Sequence, residues 1–164
     1  MIGAALLSVA GCGSDQDAAS SDKKITIGFS VSTQNNPFFV KMADSVKAEA
    51  AKQGVDVKIV DAQNDPAKQA NDVSDLIEQG VNVLIVNPVD LTAAGPIITK
   101  AKDAGLPIVL QNRQPSEEDM NSYDQAWYVG CKAEQSGTMS GEIIADYFTA
   151  NPDADKNGDG TIQY

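Results

Sequence analysis

The sequence has no histidine, only two cysteines and a single arginine in 164 residues. The lack of histidine excludes imidazole general-base catalysis and histidine-ligated metal sites. Cys12 and Cys131 cannot supply the four ligands of a structural zinc site. No glycine-rich dinucleotide fingerprint follows the first β-rich run, and no Walker-type phosphate loop occurs in the sequence. These absences remove the chemistry of many enzyme classes.

Basic residues are also scarce relative to acidic ones. The 12 Lys and Arg residues stand against 23 Asp and Glu residues, which gives a net charge of −11 and a pI of about 4.2. Such a surface repels a phosphate backbone, so nucleic acid is not an expected partner. The chain is 42% hydrophobic and 21% charged, which is typical of a folded globular protein.

A short, mostly apolar segment opens the chain at residues 2–10 and leads to Gly11 and Cys12. It is too short to cross a bilayer but fits the hydrophobic region of a secretory signal. The tetrapeptide VAGC at residues 9–12 resembles the lipobox of bacterial lipoproteins, so we expect lipidation of Cys12. A frayed apolar terminus with a buried thiol is the alternative. The polar residues 13–24 predict a flexible tether.

Strand-like and helix-like patterns alternate after residue 24. Four β-rich runs occupy residues 25–31, 55–60, 81–86 and 106–110, at the spacing of βαβ units. The stretches between them carry apolar residues at helical intervals. The predicted buried faces are Phe39, Ala43, Val46 and Ala50 in the first helix, Ala70, Val73 and Ile77 in the second, and Ile97, Ala101 and Ala104 in the third. The pattern predicts an α/β fold with a doubly wound parallel sheet.

The residues between these elements agree with that order. Gly54, Gly80 and Gly105 each follow a predicted helix, where a left-handed glycine commonly ends the element. Asp65, which precedes a proline, and Asp90 are predicted helix N-caps.

Ligands of such sheets bind at the carboxyl ends of the strands. The predicted strands lead into polar loops at residues 34–39, 61–66, 87–90 and 111–113. These loops supply amides, carboxylates, a guanidinium and aromatic rings. Planar polar groups bridge neighbouring sugar hydroxyls, and aromatic rings cover the apolar face of a sugar ring. We therefore expect a monosaccharide cleft at this edge.

The expected roles of Asn36, of the two adjacent phenylalanines and of Arg113 at this edge follow from their sequence context. Asn36 precedes Pro37, so it is both a candidate helix cap and a candidate ligand contact. Phe38 and Phe39 must face different directions on a helix, and Phe39 belongs to the buried stripe, so Phe38 is expected to face the cleft. Arg113 is a candidate ligand contact or, alternatively, a surface ion-pair residue.

Several motifs resemble one protein family. The segment STQNNPFF at residues 32–39 resembles the first-strand segment of periplasmic ribose-binding proteins. The segments NPVDLTAAG (87–95), NRQPS (112–116), SYDQAWYVG (122–130) and DKNGDGTIQ (155–163) are similar to the galactose/glucose-binding branch. The similarity extends from about residue 24 to residue 164. The chain is therefore similar to type I periplasmic sugar-binding proteins.

The resemblance implies particular sugar contacts. Asn36 matches a hydrogen-bonding position and Phe38 a stacking position, while Asn112 and Arg113 match sugar-contacting positions after the fourth strand. The chain departs from the family twice, because the galactose branch has aspartate in place of Asn36 and the ribose branch has aspartate in place of Asn112. A galactose-like or glucose-like hexose is favoured, and a ribose-like pentose is the alternative.

The resemblance also implies a domain layout, because family members have two α/β lobes joined by three hinge crossings. After the signal and lipobox (1–12) and the tether (13–24), residues 25–130 would form an incomplete N-terminal sugar-binding lobe. Residues 131–164 would begin the second lobe, so a truncated chain is expected. Helical spacing predicts a helix over residues 133–150 with Met139, Ile143 and Tyr147 on one face. Cys131 is expected to be a small packed residue.

Residues 155–163 match the first half of an EF-hand calcium loop, with a glycine at the position of the sharp turn. The predicted oxygen donors are Asp155, Asn157 and Asp159 at loop positions 1, 3 and 5, the Thr161 carbonyl at 7 and Gln163 at 9. A solvated turn rich in Asx and glycine is the alternative. The resemblance implies that a glutamate from later in the second lobe completes the site, so this stretch alone is expected to bind calcium weakly.

Together these features predict a lipid-anchored, extracytoplasmic binding protein that delivers a monosaccharide to an ABC permease and breaks no bond. A chemoreceptor is a second candidate partner. The alternative is a sugar-sensing effector domain of a repressor, or a chemoreceptor-coupled sensor, of the same fold. A repressor would carry a helix-turn-helix before residue 25, where the lipobox and tether stand instead. A doubly wound enzyme would need a nucleophile elbow or a phosphate loop, and the sequence has neither.

Overall fold

The computed structural model describes residues 24–161, in which strands and helices alternate along the chain. The strands are β1 (Thr26–Val31), β2 (Asp56–Asp61), β3 (Val83–Val86), β4 (Ile108–Gln111) and β5 (Ala126–Val129). The helices are α1 (Pro37–Lys52), α2 (Pro66–Glu78), α3 (Ala94–Asp103), α4 (Glu117–Asn121) and α5 (Ala133–Ala150). Two 3-10 turns occupy Leu91–Ala93 and Pro152–Ala154. Cys12 and Gln163 lie outside the described residues.

The five strands form one parallel sheet in the order β2-β1-β3-β4-β5. The sheet with its flanking helices confirms the predicted α/β fold class, and the direction of winding changes between β1 and β3. Strand β5 was not predicted. It has only four residues and pairs with β4 alone, and Trp127 and Val129 are about half exposed, so no buried apolar run marks it in the sequence.

The core lies on both faces of the sheet. On one face, α2 and α3 bury residues such as Val73, Leu76 and Ile97 against β3 and β4. On the other face, α1 buries Phe39 and Ala43 against β1. Gly28 sits in the middle of β1, where an added Cβ would come within 3.2 Å of Leu76 and Val81. Glycine at this position therefore allows α2 to pack closely on the strand.

The predicted face of α1 is confirmed for Phe39, Ala43 and Ala50, which are buried, whereas Val46 is half-buried. The predictions for α2 and α3 need correction. In α2 the fully buried residues are Gln69, Val73 and Leu76, whereas Ala70 and Ile77 are only half-buried. The buried stripe is thus rotated, and a glutamine lies on it. In α3, Ala104 is exposed because it is the residue at which the helix ends.

The predicted helix boundaries follow from the caps. The Asp65 carboxylate accepts hydrogen bonds from the backbone N–H groups of Ala67 and Lys68 at 2.8 and 3.0 Å, so α2 begins at the following proline. Asp90 accepts from the Thr92 N–H at 2.8 Å and caps the first 3-10 turn. Gly54, Gly80 and Gly105 all have positive φ, as predicted for residues after a helix end.

Helix α5 has the predicted bounds but no buried residue. Its apolar side chains Met139, Ile143 and Tyr147 are each more than half exposed. Cys131, before the helix, is also exposed, so its prediction as a packed residue is wrong within the described part of the chain. Between residues 24 and 161, no helix combines the length and hydropathy that a membrane crossing requires.

Candidate functional site at the carboxyl edge of the sheet

The carboxyl edge of the sheet collects the loops that follow β1, β3 and β4. These strands are adjacent in the sheet, so the residues after β1 lie on the order of 10 Å from those after β4 at the usual strand spacing. The switch in winding between β1 and β3 falls within this span. In doubly wound sheets this is the position of the ligand crevice. The topology therefore brings the four predicted sugar contacts to one edge.

Beneath this edge, the buried side chain of Asn87 joins the three strand ends. Its Oδ1 accepts hydrogen bonds from the hydroxyl and the backbone N–H of Ser32, at 2.6 and 3.3 Å. Its Nδ2 donates to the backbone carbonyl of Gln111 at 3.0 Å. Both Asn87 and Ser32 are fully buried. A satisfied buried amide fixes the relative positions of the loops because breaking any of these bonds leaves an unpaired polar group.

Arg113 lies half-buried above the loop that follows β3. Its Nη1 donates hydrogen bonds to the backbone carbonyl oxygens of Pro88 at 2.8 Å and Val89 at 2.5 Å. Among the described residues it forms no ion pair, so the alternative of a surface ion-pair residue does not describe this geometry. One end of the guanidinium is thus held by the protein backbone.

The charge of Arg113 also reaches Asp90. The pKa of Asp90 is lowered, mainly because its carboxylate accepts hydrogen bonds from the Thr92 backbone N–H and hydroxyl, and the nearby Arg113 charge adds a smaller contribution in the same direction. Asp90 therefore stays ionised at neutral pH while it caps the 3-10 turn.

Asn112 adopts a left-handed backbone conformation, with φ of 68°. Asparagine tolerates this region better than most residues. The Asn112 backbone N–H donates to Val129 at 2.9 Å, and its carbonyl accepts from the Tyr128 hydroxyl at 3.1 Å. The side-chain amide makes no hydrogen bond with another described residue. The backbone is therefore fixed on β5, while the amide keeps its hydrogen-bonding capacity.

Asn36 and Phe38 occupy the start of α1. The Asn36 Oδ1 accepts the Phe38 N–H at 2.9 Å, which confirms the cap interpretation and leaves the amide Nδ2 without a partner among the described residues. The Phe38 side chain is 56% exposed, whereas Phe39 is 7% exposed and the two rings meet edge to face at 5.3 Å. The structure therefore confirms that Phe39 is buried and Phe38 is exposed, and the contact of Phe38 with a ligand stays a prediction.

The residue that the sequence patterns missed is Gln69. It is fully buried in α2, and its amide bonds to the loop after β3. Its position four residues before Val73 and seven before Leu76 places it on the helix's buried stripe. That spacing is the signal in the sequence, but the predicted stripe runs through Ala70, Val73 and Ile77 instead.

The predicted calcium loop is described as far as Thr161. Both oxygens of Asp155 accept backbone N–H groups, from Gly158 at 2.9 Å and Gly160 at 2.8 Å. The Thr161 N–H donates to Asp159 at 2.7 Å. Gly158 and Gly160 have positive φ, which lets the backbone turn sharply. No group of three or more His, Cys, Asp or Glu residues within 24–161 is arranged to hold a metal ion. Calcium also accepts amide and carbonyl oxygens as ligands, and the loop contains both.

The described residues form a parallel α/β sheet, and the Asn36 Nδ2 and the Asn112 amide lie near the point where its direction of winding changes. In doubly wound sheets, this is where ligands bind. The model of the periplasmic binding protein domain matches residues 27–162, and the chain belongs to this family.

Characterised relatives and solved structures agree with this assignment. The chain is 42% identical over 124 residues to the ribose import binding protein of Bacillus subtilis, covering 76% of this chain and 39% of the relative. It is 37% identical to the D-galactose/methyl-galactoside binding periplasmic protein of Haemophilus influenzae, covering 84% of this chain and 42% of the relative. A solute-binding protein from Bacillus halodurans with bound myo-inositol matches with a TM-score of 0.68 and 36% identity, over 77% of this chain and 42% of that one. The chain thus spans about two fifths of the length of these relatives.

Proposed function

We propose that this chain is part of a solute-binding protein that presents a monosaccharide, or a cyclic polyol of similar size, to an ABC importer. The observation that carries this proposal is that an exposed Phe38 ring and a backbone-held Arg113 guanidinium both lie at the carboxyl edge of the sheet. An aromatic face suits the C–H side of a sugar ring, and a fixed guanidinium suits its hydroxyls. Asn36 adds its amide Nδ2, and Asn112 its side-chain amide, to the same wall.

The relatives narrow the ligand class. Their names specify ribose and galactose or methyl-galactoside, and the structural relative holds myo-inositol. These ligands share a small ring that carries several hydroxyls. A galactose-like or glucose-like hexose remains our favoured ligand, with a ribose-like pentose as the alternative. The binding is reversible and involves no covalent step.

Uptake by living cells tests the proposal. A strain that lacks the gene should import one labelled sugar among ribose, galactose, glucose and myo-inositol more slowly than its parent, and the restored gene should recover the rate. Equal uptake of all four compounds in the two strains would overturn the import function.

We also propose that Asp155, Asn157 and Asp159, with the Thr161 carbonyl and Gln163, hold a calcium ion in the intact gene product. The donor chemistry and the two left-handed glycines support this. Calcium should raise the melting temperature through mass action, and Asp159→Ala should abolish the rise. Glu142→Ala, which removes an exposed carboxylate from α5, is the control. A full response in Asp159→Ala would exclude this loop.

An extracytoplasmic, lipid-anchored location is the remaining part of the proposal. The family supports the extracytoplasmic location, and the anchor depends on Cys12. Cells fed labelled palmitate should incorporate the label into the wild-type protein but not into Cys12→Ser. Equal labelling of the two proteins would contradict the anchor.

A further inference from the structure

Gln69 is a polar side chain inside the hydrophobic core. It is fully buried on the face of α2 that also buries Val73 and Leu76. An amide in such a position is destabilising unless both of its ends are hydrogen-bonded. A leucine would fill the same space without this requirement. The hydrogen-bond partners of Gln69 should therefore explain why a glutamine, and not a leucine, occupies this position.

Both ends of the Gln69 amide bond to one short backbone segment. The Nε2 donates to the Asn87 carbonyl at 2.9 Å and to the Ser30 hydroxyl at 3.2 Å. The Oε1 accepts the Val89 N–H at 2.9 Å. Pro88, between these two residues, has no N–H of its own to anchor the segment. One side chain thus holds residues 87–89 on both sides of the proline.

The same segment holds the guanidinium at the candidate site. The carbonyl oxygens of Pro88 and Val89 are the two acceptors of the Arg113 Nη1. A continuous hydrogen-bonded path therefore leads from the core amide of Gln69, through residues 87–89, to Arg113. No other side chain among the described residues donates to either carbonyl.

We propose that Gln69 is a positioning residue that fixes the Arg113 guanidinium at the carboxyl edge of the sheet. Its consequence for ligand affinity rests on the proposed function, but the positioning itself does not. Without Gln69, residues 87–89 lose their anchor on α2, and the two carbonyl oxygens no longer hold Nη1 in one place.

The guanidinium of Arg113 can be observed directly by nitrogen-15 NMR of arginine side chains, which reports the rotation of the Nη groups. In the intact gene product, the Arg113 signals are those that disappear in Arg113→Lys. In the wild-type chain, rotation of the bonded Nη1 should be hindered, and in Gln69→Leu it should be fast. Val73→Ala is the matched control, because it weakens the same face of α2 without removing a hydrogen bond to residues 87–89. Unchanged rotation in Gln69→Leu, or the same change in both variants, would overturn the proposal.

A double-mutant cycle in the intact gene product then tests the link to ligand binding. Using whichever of ribose, galactose, glucose or myo-inositol binds, Gln69→Leu should weaken affinity at least about threefold, within the usual range for coupled residues. In an Arg113→Ala background the same substitution should have no effect. An equal loss in both backgrounds would mean that Gln69 acts only on general stability. If the wild-type protein bound none of these compounds, the proposed function would fail, and the NMR result would still decide the positioning role.

Discussion

Phe38 and Phe39 are neighbours in the sequence but have opposite environments. The Phe39 ring is part of the core under α1, and it supports the exposed Phe38 ring from one side. An exposed aromatic ring without a core role is available for a ligand. The pair shows how the start of a helix can expose one side chain and bury the next.

Phe38→Ala should therefore separate binding from stability. Loss of the ring removes roughly 1–2 kcal/mol of apolar burial against a sugar, which corresponds to about a 5- to 30-fold weakening of affinity. The melting temperature should change little, because the ring is 56% exposed. Calorimetry and thermal unfolding measure the affinity and the melting temperature of Phe38→Ala. The control is Val40→Ala, which truncates another exposed side chain of α1. If both variants kept wild-type affinity, Phe38 would not line the cleft.

Asn36 combines two functions that substitution can divide. Asn36→Ser keeps a side-chain oxygen that can cap α1 but removes the amide Nδ2, whereas Asn36→Ala removes both. Asn36→Ala should lower the free energy of unfolding by about 1 kcal/mol, and Asn36→Ser should stay close to wild type. Both should weaken sugar binding if the amide contacts the ligand. Wild-type affinity in Asn36→Ser would restrict Asn36 to capping.

At the scale of elements, strand β5 connects the candidate site to the segment that leads into α5. The Tyr128 hydroxyl lies 3.1 Å from both the Asn112 and Cys131 carbonyl oxygens. A hydroxyl has one proton, so the two carbonyls share it. Tyr128 therefore links the residue that follows β4 to the chain beyond β5.

The Tyr128 contact predicts a pH dependence of stability. Burial of the side chain, with a smaller contribution from Cys131, raises the pKa of Tyr128 above its usual value. The folded state thus holds the phenolic proton more tightly than the unfolded chain does. The stabilisation is complete below the ordinary tyrosine pKa of about 10 and is lost as the pH rises through the folded-state value.

Urea unfolding at pH 8 and above pH 10 measures this effect. The difference in unfolding free energy between wild type and Tyr128→Phe should shrink at the higher pH. Tyr147→Phe, which removes an exposed phenol from α5, is the control variant. A difference for Tyr128→Phe that is constant with pH would contradict the assigned role.

The elements show which features a single sequence can predict. Asx-Pro pairs and glycines set the ends of α1 and α2, because capping and left-handed turns depend on local chemistry. Strand β5 escaped prediction because its pairing with β4 is non-local and its outer face is exposed. Gln69 escaped because a polar residue on a buried stripe is recognised only when its partners, residues 87–89, are known. Likewise, the sequence predicted Arg113 at the site but not the carbonyls that hold it.

At the scale of the whole molecule, both the net charge and the candidate site favour an uncharged ligand. The net charge of −11 disfavours anions in general, whereas a neutral sugar is not repelled. In the proposed function, the described residues supply one wall of the ligand contacts. The relatives are more than twice as long as the region they share with this chain. Binding should therefore be measured on the intact gene product.

Calorimetric titration of the intact gene product with ribose, galactose, glucose and myo-inositol tests the central claim most directly. We expect one of these compounds to bind, and Arg113→Ala to bind it at least about tenfold more weakly, because a hydrogen bond from a charged group contributes roughly 1.5–3 kcal/mol. Arg113→Lys should fall between the two, since lysine keeps the charge but lacks the planar fork. Absence of binding by all four compounds, or equal affinities in wild type and Arg113→Ala, would contradict a sugar site at the carboxyl edge of this sheet.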